Sequence, residues 1–268
     1  MVTDRDWRTT FRPDIPSSAR IYDYFLGGKD NFPADREAAE EIAGYLPAIR
    51  VAAQWNRAFV GRAVRFLVNE AGITQLLDIG SGLPTKGNVH EVAHQVNPEI
   101  HVVYVDHDPV VLAHSRDLLA KERNAVVIKY DMRETDNILA DYELRHQLDF
   151  TQPVGLLCVS MLQFLSDRDD PAGIIARLLA PFPAGSYFAL THGTADADPY
   201  VKDAAKVYDE ATTRLWPRTK SQVLAMVDGL ELVEPGLVWT PEWHPDPGDP
   251  IPANAADSYY YALAARKP

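Results

Sequence analysis

The chain has one cysteine, no long apolar run and no excess of basic residues. With Cys158 alone, no intramolecular disulfide can form; this fits a reducing compartment, and a cytoplasmic location is expected. Cys158 lies in an apolar stretch and reads as a buried, inert thiol. The longest apolar runs, such as 154–159, are far too short to span a bilayer. The opening residues, MVTDRDW, hold no apolar h-region, so no signal peptide is expected. The formal charge of −12 repels nucleic-acid backbones and anionic lipid, and no basic patch interrupts it. Neither nucleic acid nor membrane is an expected partner; a small-molecule substrate is. What is present is an ordinary globular composition, 46% hydrophobic and 24% charged over 268 residues. That length suits one large α/β domain with appendages, or two small domains.

Residues 1–19 are polar and hold Pro13 and Pro16, which predicts an irregular arm. Residues 20–32, RIYDYFLGGKDNF, interleave aromatics with glycine and charge. Pro33 stands where helices begin, and Asp35, Glu37, Glu40 and Glu41 load the early turns with acid, so a helix is expected up to Pro47. A second follows over 49–71. Trp55 and Phe59 mark one helical spacing, Val60, Val64, Leu67 and Val68 another, and Gly72 the stop. From Ile73 strands alternate with helices. Strands are expected over 75–79, 101–105, 125–130, 154–160, 186–191, 231–239 and 258–265, and helices near 87–96, 109–121, 137–145, 171–179, 202–213 and 221–228. The alternation predicts a mostly parallel sheet wound on both faces. Only a proline-rich loop, 241–252, separates the last two strands, which should pair antiparallel at one edge. The chain thus divides into a helical N-terminal extension, 1–72, and an α/β core, 73–268.

The first strand feeds into Asp78, Gly80, Ser81 and Gly82 and then a helix pattern. A strand, a tight glycine turn and a helix start make a nucleotide-sized ligand site at the carboxyl end of a sheet. Gly80 and Gly82 lack a Cβ, so the turn is free and a ligand can approach the backbone. The unpaired N–H groups opening helix 87–96 are expected to face the same pocket. Asp78 gives the site a sign, because a carboxylate suits a ligand with an ammonium better than one with a pyrophosphate. S-adenosylmethionine (SAM) is such a ligand. The second strand ends in Asp106, His107 and Asp108; Asp106 can accept from both ribose hydroxyls, while Asp108 caps the helix that Pro109 starts. The third ends in Asp131, so three successive strands end in acid at the binding rim. His192, just after the fifth strand, is the best-placed imidazole for proton transfer and the one catalytic candidate.

An otherwise parallel sheet with a terminal antiparallel hairpin resembles the Rossmann-like class I methyltransferase fold, and residues 78–82 resemble its first motif. That resemblance implies Asp131 against the adenine amino group, Met132 beside it with a backbone N–H and apolar packing, and Ser160 near the cofactor at the end of the fourth strand. The segment after Ser160 looks like the small-molecule group of these enzymes, with Gln163 where others carry a histidine. RIYDYFLGGKDNFPADR, LLDIGSGLPT and VVYVDHDPVVLAHSR together resemble one family over essentially the whole chain: the S-adenosyl methyltransferases long catalogued as a domain of unknown function. The family implies a SAM site and supplies no substrate. Its N-terminal signature, with Tyr22, Gly27, Gly28 and Asn31, is expected to form a lid over the cofactor. Tyr22 or Tyr24 would face the sulfonium through a cation–π contact, and Arg36 would hold a carboxylate, either that of SAM or that of a lid aspartate.

Three motifs compete for attention. His90-Glu91-Val92-Ala93-His94 matches the zinc-protease pattern H-E-x-x-H. Val89, Val92, Ala93 and Val96 are expected to be the buried face of that helix, turning both histidines away from the core, so no metal is expected. Gly27-Gly28-Lys29 lacks the remainder of a phosphate loop. Trp239 and Trp243 fit a substrate mouth or a packed edge loop. Two other functions stay open: a SAM-binding protein without transferase activity, and an NAD-type oxidoreductase. The latter needs a third glycine where Thr85 stands.

Overall fold

The computed structural model describes residues 12–85, 87–249 and 252–268. Most of the expected irregular arm, residues 1–11, lies outside the described residues. Three helices precede the sheet: α1 (Ser18–Phe25), α2 (Pro33–Tyr45) and α3 (Ile49–Arg65), the last running into a π-helical turn, Phe66–Glu70. Strands and helices then alternate. They are β1 (Gln75–Ile79), α4 (Val89–Val96), β2 (His101–Asp106), α5 (Pro109–Leu119), β3 (Ala125–Lys129), α6 (Thr135–Ala140), α7 (Tyr142–Gln147) and β4 (Gly155–Val159). After these come α8 (Pro171–Leu179), β5 (Tyr187–Gly193), α9 (Val201–Val207), α10 (Lys220–Ala225), β6 (Glu231–Leu232), β7 (Val238–Trp239) and β8 (Tyr260–Arg266).

The sheet has eight strands in the order β3-β2-β1-β4-β5-β8-β6, with β7 also on β8. The first five pair in parallel. β8 runs antiparallel to β5, from Tyr187 opposite Arg266 to Gly193 opposite Tyr260. This is the expected α/β sheet with an antiparallel edge, with one difference. The single strand expected over 231–239 is two short ones, because Pro235 has no N–H for a ladder and Gly236, at φ +81°, turns back to donate to the Val233 carbonyl at 2.8 Å. Helix 137–145 is likewise split: Asp141 ends α6, then caps α7 by accepting from the N–H groups of Glu143 and Leu144. The last helical run before α10 is short, α9 passing into a 3₁₀ turn, Tyr208–Glu210.

Strand alternation decides which side chains can meet at the sheet's upper edge. Leu77 and Ile79 of β1, with Phe188 and Leu190 of β5, pack against Ile138, Leu144, Ile174 and Val223 of α6, α7, α8 and α10. Leu76 points the other way, toward Val60, Val64 and Leu67 of α3 and its π turn, and Asp78 shares that face. Ala189 of β5 and Ala262 and Ala264 of β8 also face α3, where Phe59 and Ala63 cover them. The N-terminal helices hold together through Ile21, Phe25, Ala39, Ile42 and Ala52, which pack with Val201, Ala204 and Tyr260 of the core. Below them Asp35, fully buried, accepts from the Ser17 N–H at 2.9 Å, the Phe32 N–H at 2.8 Å and Arg20 Nε at 2.8 Å.

Candidate functional site

The turn after β1 opens a crevice between the sheet's carboxyl edge and α1. Gly80 and Ser81 donate to the Val105 carbonyl at 2.8 and 3.3 Å, which ties the turn to β2. Gly80 sits at φ +74°, and a Cβ there would lie 2.3 Å from Met161 Sδ. Both the dihedral and the approach require glycine. Gly80→Ala is therefore expected to cost more than the ~1 kcal/mol of a tolerated glycine change and to push Met161 into the crevice. A thermal melt and an S-adenosylhomocysteine (SAH) titration check this; wild-type values in both would refute it.

Asp78, buried at the end of β1, has no hydrogen-bond partner among the described residues and lines the crevice. Burial pushes its carboxyl up to about 7, with the Arg57 guanidinium pulling it back and Asp106 adding to the rise. Arg57, on the α3 face that Asp78 shares, donates from Nη2 to the Gly87 carbonyl at 2.9 Å and Asn88 Oδ1 at 3.2 Å. Its Nε is buried without a partner among the described residues. The crevice thus holds an unengaged carboxylate facing a guanidinium with a donor to spare, the pattern that receives a zwitterion.

On β2, Asp106 accepts from the Gly82 N–H and the Asp108 N–H, each at 2.9 Å. Burial raises its pKa and the two backbone donors oppose the rise. Asp108 caps α5 through the Val110 N–H at 2.8 Å, as expected, and its other oxygen accepts from Ser17 Oγ at 2.8 Å. Ser17 therefore spans the mouth, and Ser18, Ala19 and Tyr22 of α1 close over it. The Tyr22 hydroxyl donates to the Ala53 carbonyl at 3.1 Å and accepts from Asn56 Nδ2 at 2.8 Å. Asn56 Oδ1 accepts from Thr191 Oγ1 at 2.6 Å, which itself accepts from the Ser160 N–H at 2.8 Å. One chain of hydrogen bonds so joins α1, α3, β5 and the end of β4. The space left open is about 100 Å³, below the roughly 300–1,000 Å³ of a typical ligand pocket.

Of the residues singled out in the sequence, Tyr22, Asp78, Gly80, Ser81, Gly82, Asp106, His107 and Ser160 line this crevice. The others do not. Gly28 packs on Asp23, whose Oδ2 also accepts from the Asp30 N–H and from Asn31 Nδ2. Arg36 donates to the Asn31 carbonyl and side chain at 2.9 and 3.1 Å, so Gly27, Gly28, Asn31 and Arg36 form a self-contained turn between α1 and α2. Asp131 is held by Arg133 Nε and Nη2 at 2.9 and 2.6 Å, and Met132 is buried with Ile128 and Ile138. The opening of α4 lies outside it too: the Gly87 and Asn88 N–H groups just before the helix donate to Glu91 Oε2, and the His90 N–H donates to the Tyr104 hydroxyl at 2.8 Å.

His192 corrects the catalytic expectation. Alternation along β5 sends Thr191 into the crevice network and His192 to the opposite face. There it is fully buried, with Nδ1 2.8 Å from the Gly193 carbonyl and Nε2 3.3 Å from Arg218 Nη1. Burial drives its pKa down to about 3, so it is a neutral structural ring. His90 also departs from expectation: it is buried, its Nδ1 2.7 Å from the Tyr104 hydroxyl, while Val96 is exposed. His94 Nε2 lies 2.9 Å from the Ile100 carbonyl. Arg57, Asn56, Tyr208 and Tyr260 carry no local motif, and only the fold brings them to the crevice.

No curated protein matches the chain. The family described as S-adenosyl methyltransferase matches residues 6–268. Among solved structures, a DUF574 family protein from Streptomyces avermitilis MA-4680 is 44% identical over 96% of this chain and 100% of its own, with a TM-score of 0.91. A candidate methyltransferase from Thermobifida fusca YX is 39% identical over 95% of this chain and 96% of its own, with a TM-score of 0.89. Human N-acetylserotonin methyltransferase in complex with SAM, 14% identical over 98% of this chain and 65% of its own at a TM-score of 0.50, shares the fold. The chain belongs to the S-adenosyl methyltransferase family and is a SAM-dependent methyltransferase of the Rossmann-like class I fold.

Proposed function

We propose that SAM lies along this crevice, that the described part of the N-terminal extension, residues 12–72, forms the lid above it, and that the methyl acceptor is a small molecule. When bound, SAM supplies a methyl group on a sulfonium, ready for in-line displacement. Asp78 receives the ammonium and Arg57 the carboxylate of the methionine portion, in place of Arg36. Asp106, with two of its about four acceptor sites already used, takes the ribose hydroxyls on the remainder. Gly80, Ser81 and Gly82 let the ligand approach the backbone, and His107 and Ser160 flank it. Tyr22, fixed by Ala53 and Asn56, sets the lid helix over the reacting end and excludes water. The opening of about 100 Å³ is smaller than a typical ligand pocket, so on this reading α1 moves aside to admit the ligand. The net charge of −12 disfavours nucleic acid and so favours a small acceptor, and the single cysteine favours a cytoplasmic enzyme.

The observation that carries this reading is Asp78, a buried carboxyl with no hydrogen-bond partner among the described residues. It also provides the test. Burial pushes the Asp78 carboxyl up to about 7, and an ammonium favours its charged form. Below that pH binding must expel a proton, so SAH affinity is expected to fall by up to tenfold per unit as pH drops below about 7, and to level off above it. Asp78→Asn should flatten this profile and bind more weakly at about pH 8. The stability sign is opposite. A raised carboxyl pKa means that the ligand-free fold holds a proton the unfolded chain has lost, so stability declines as pH climbs from 3.8 toward about 7. Asp78→Asn should then raise the ligand-free Tm at about pH 8. Calorimetry showing pH-independent SAH affinity in the wild type would count against Asp78 as the ammonium partner.

A further inference from the structure

Strand order divides the crevice into two chemically different ends. β1 and β2 bring the acids and the imidazole, Asp78, Asp106 and His107, to one end. Beyond β4, the other end is built by Tyr260 at the start of β8, Phe164 after β4, Tyr208 after α9 and Tyr22 of the lid. The Phe164 and Tyr208 ring centroids are 5.9 Å apart, and the Tyr260 hydroxyl is 3.5 Å from Ser160 Oγ. The Tyr208 hydroxyl has no hydrogen-bond partner among the described residues. Burial pushes the Tyr22, Tyr208 and Tyr260 phenols up, so all three stay neutral. Among the described residues, this end holds no carboxylate and no imidazole.

We propose that the acceptor is an amine, methylated on nitrogen while it lies against the Tyr22, Phe164, Tyr208 and Tyr260 rings. The inference rests on the SAM reading above. In this step the nitrogen lone pair forms the N–C bond as the C–S pair leaves on sulfur. The positive charge passes from sulfur to nitrogen, no proton moves, and the product ammonium sheds its proton to water afterwards. A neutral amine therefore needs no base, and aromatic rings that favour the sulfonium favour the product ammonium equally. A hydroxyl acceptor would need its proton removed as the bond forms, and the tyrosine end offers no group to take it.

Calorimetric titration of the SAH complex with choline and with its uncharged carbon isostere, dimethylbutanol, tests this. With SAH seated, its own ammonium occupies Asp78, so the added cation reports on the tyrosine end. Choline is expected to bind roughly tenfold tighter than the isostere. Tyr208→Leu should remove most of that preference while SAH affinity stays within about twofold. Equal binding of the two probes, binding of neither, or a preference that survives both Tyr208→Leu and Tyr260→Leu would overturn the inference. Failure of SAH itself to bind would instead overturn the cofactor reading beneath it.

Discussion

Asp106→Ala is expected to weaken SAH binding by 100-fold or more. The carboxylate stands at the end of β2 with one lone pair on each oxygen already committed, to the Gly82 and Asp108 N–H groups. The remaining pairs are those the ribose hydroxyls would meet. Two charge-assisted hydrogen bonds at about 1.5–3 kcal/mol each give roughly 3–6 kcal/mol, or 10²–10⁴ in affinity. A second effect adds to this. Without its acceptor the Gly82 N–H is orphaned, and the turn that Gly80 and Ser81 anchor on Val105 loses its third tether to β2. The core strands do not depend on that contact, so circular dichroism should report an unchanged fold while calorimetry reports the lost affinity. If the alanine variant bound SAH within threefold of wild type, the ribose would have to lie elsewhere.

The residues that act locally are those the sequence displays. A strand, two glycines and an acid at 75–82 carry their geometry within a few residues, and the Asp108 cap with Pro109 does the same. Residues that depend on register or on distant packing are hidden. The sequence points to Arg36 and not to Arg57, but α2 turns Arg36 back on Asn31 while α3, which carries Arg57, lies on the Asp78 face of β1. His192 is adjacent to Thr191, and a single step of strand alternation separates a crevice residue from one on the far face. Tyr260 reaches the site only because β8 folds back antiparallel onto β5, which places it beside Gly193. Asp131 lies outside the crevice lining and is engaged locally. Arg133, two residues on, captures its carboxylate, and the resulting ion pair holds its pKa low. The broken strand at 231–239 was also legible, since Pro235-Gly236 interrupts the ladder chemically.

Asp35→Ala is expected to be the most destabilising single change in the N-terminal helices. Asp35 and Arg20 are both buried, and their carboxylate–guanidinium contact is 2.8 Å. Asp35 also receives the Ser17 and Phe32 N–H groups, while Arg20 Nη2 donates to the Ile15 carbonyl at 2.6 Å. Removing the carboxylate takes away the ion-pair contact that Arg20 makes at 2.8 Å and leaves the Ser17 and Phe32 N–H groups without their acceptor. Breaking one partner of a buried pair costs about 3–5 kcal/mol, on the order of 10 °C in Tm for a chain of this size. The loss should concentrate where the contacts are. Ser17 is fixed by Asp35 from below and gives its hydroxyl to Asp108 across the mouth, so the variant loosens the lid as well as the helix packing. Faster tryptic cleavage at Arg20 and Lys29, together with weaker SAH binding, would show the lid opening; SAH should suppress that cleavage in the wild type. Asp35→Asn keeps the shape and one acceptor, and should fall between the two. A wild-type Tm with unchanged cleavage in Asp35→Ala would mean that this buried pair neither holds the N-terminal helices nor sets the lid.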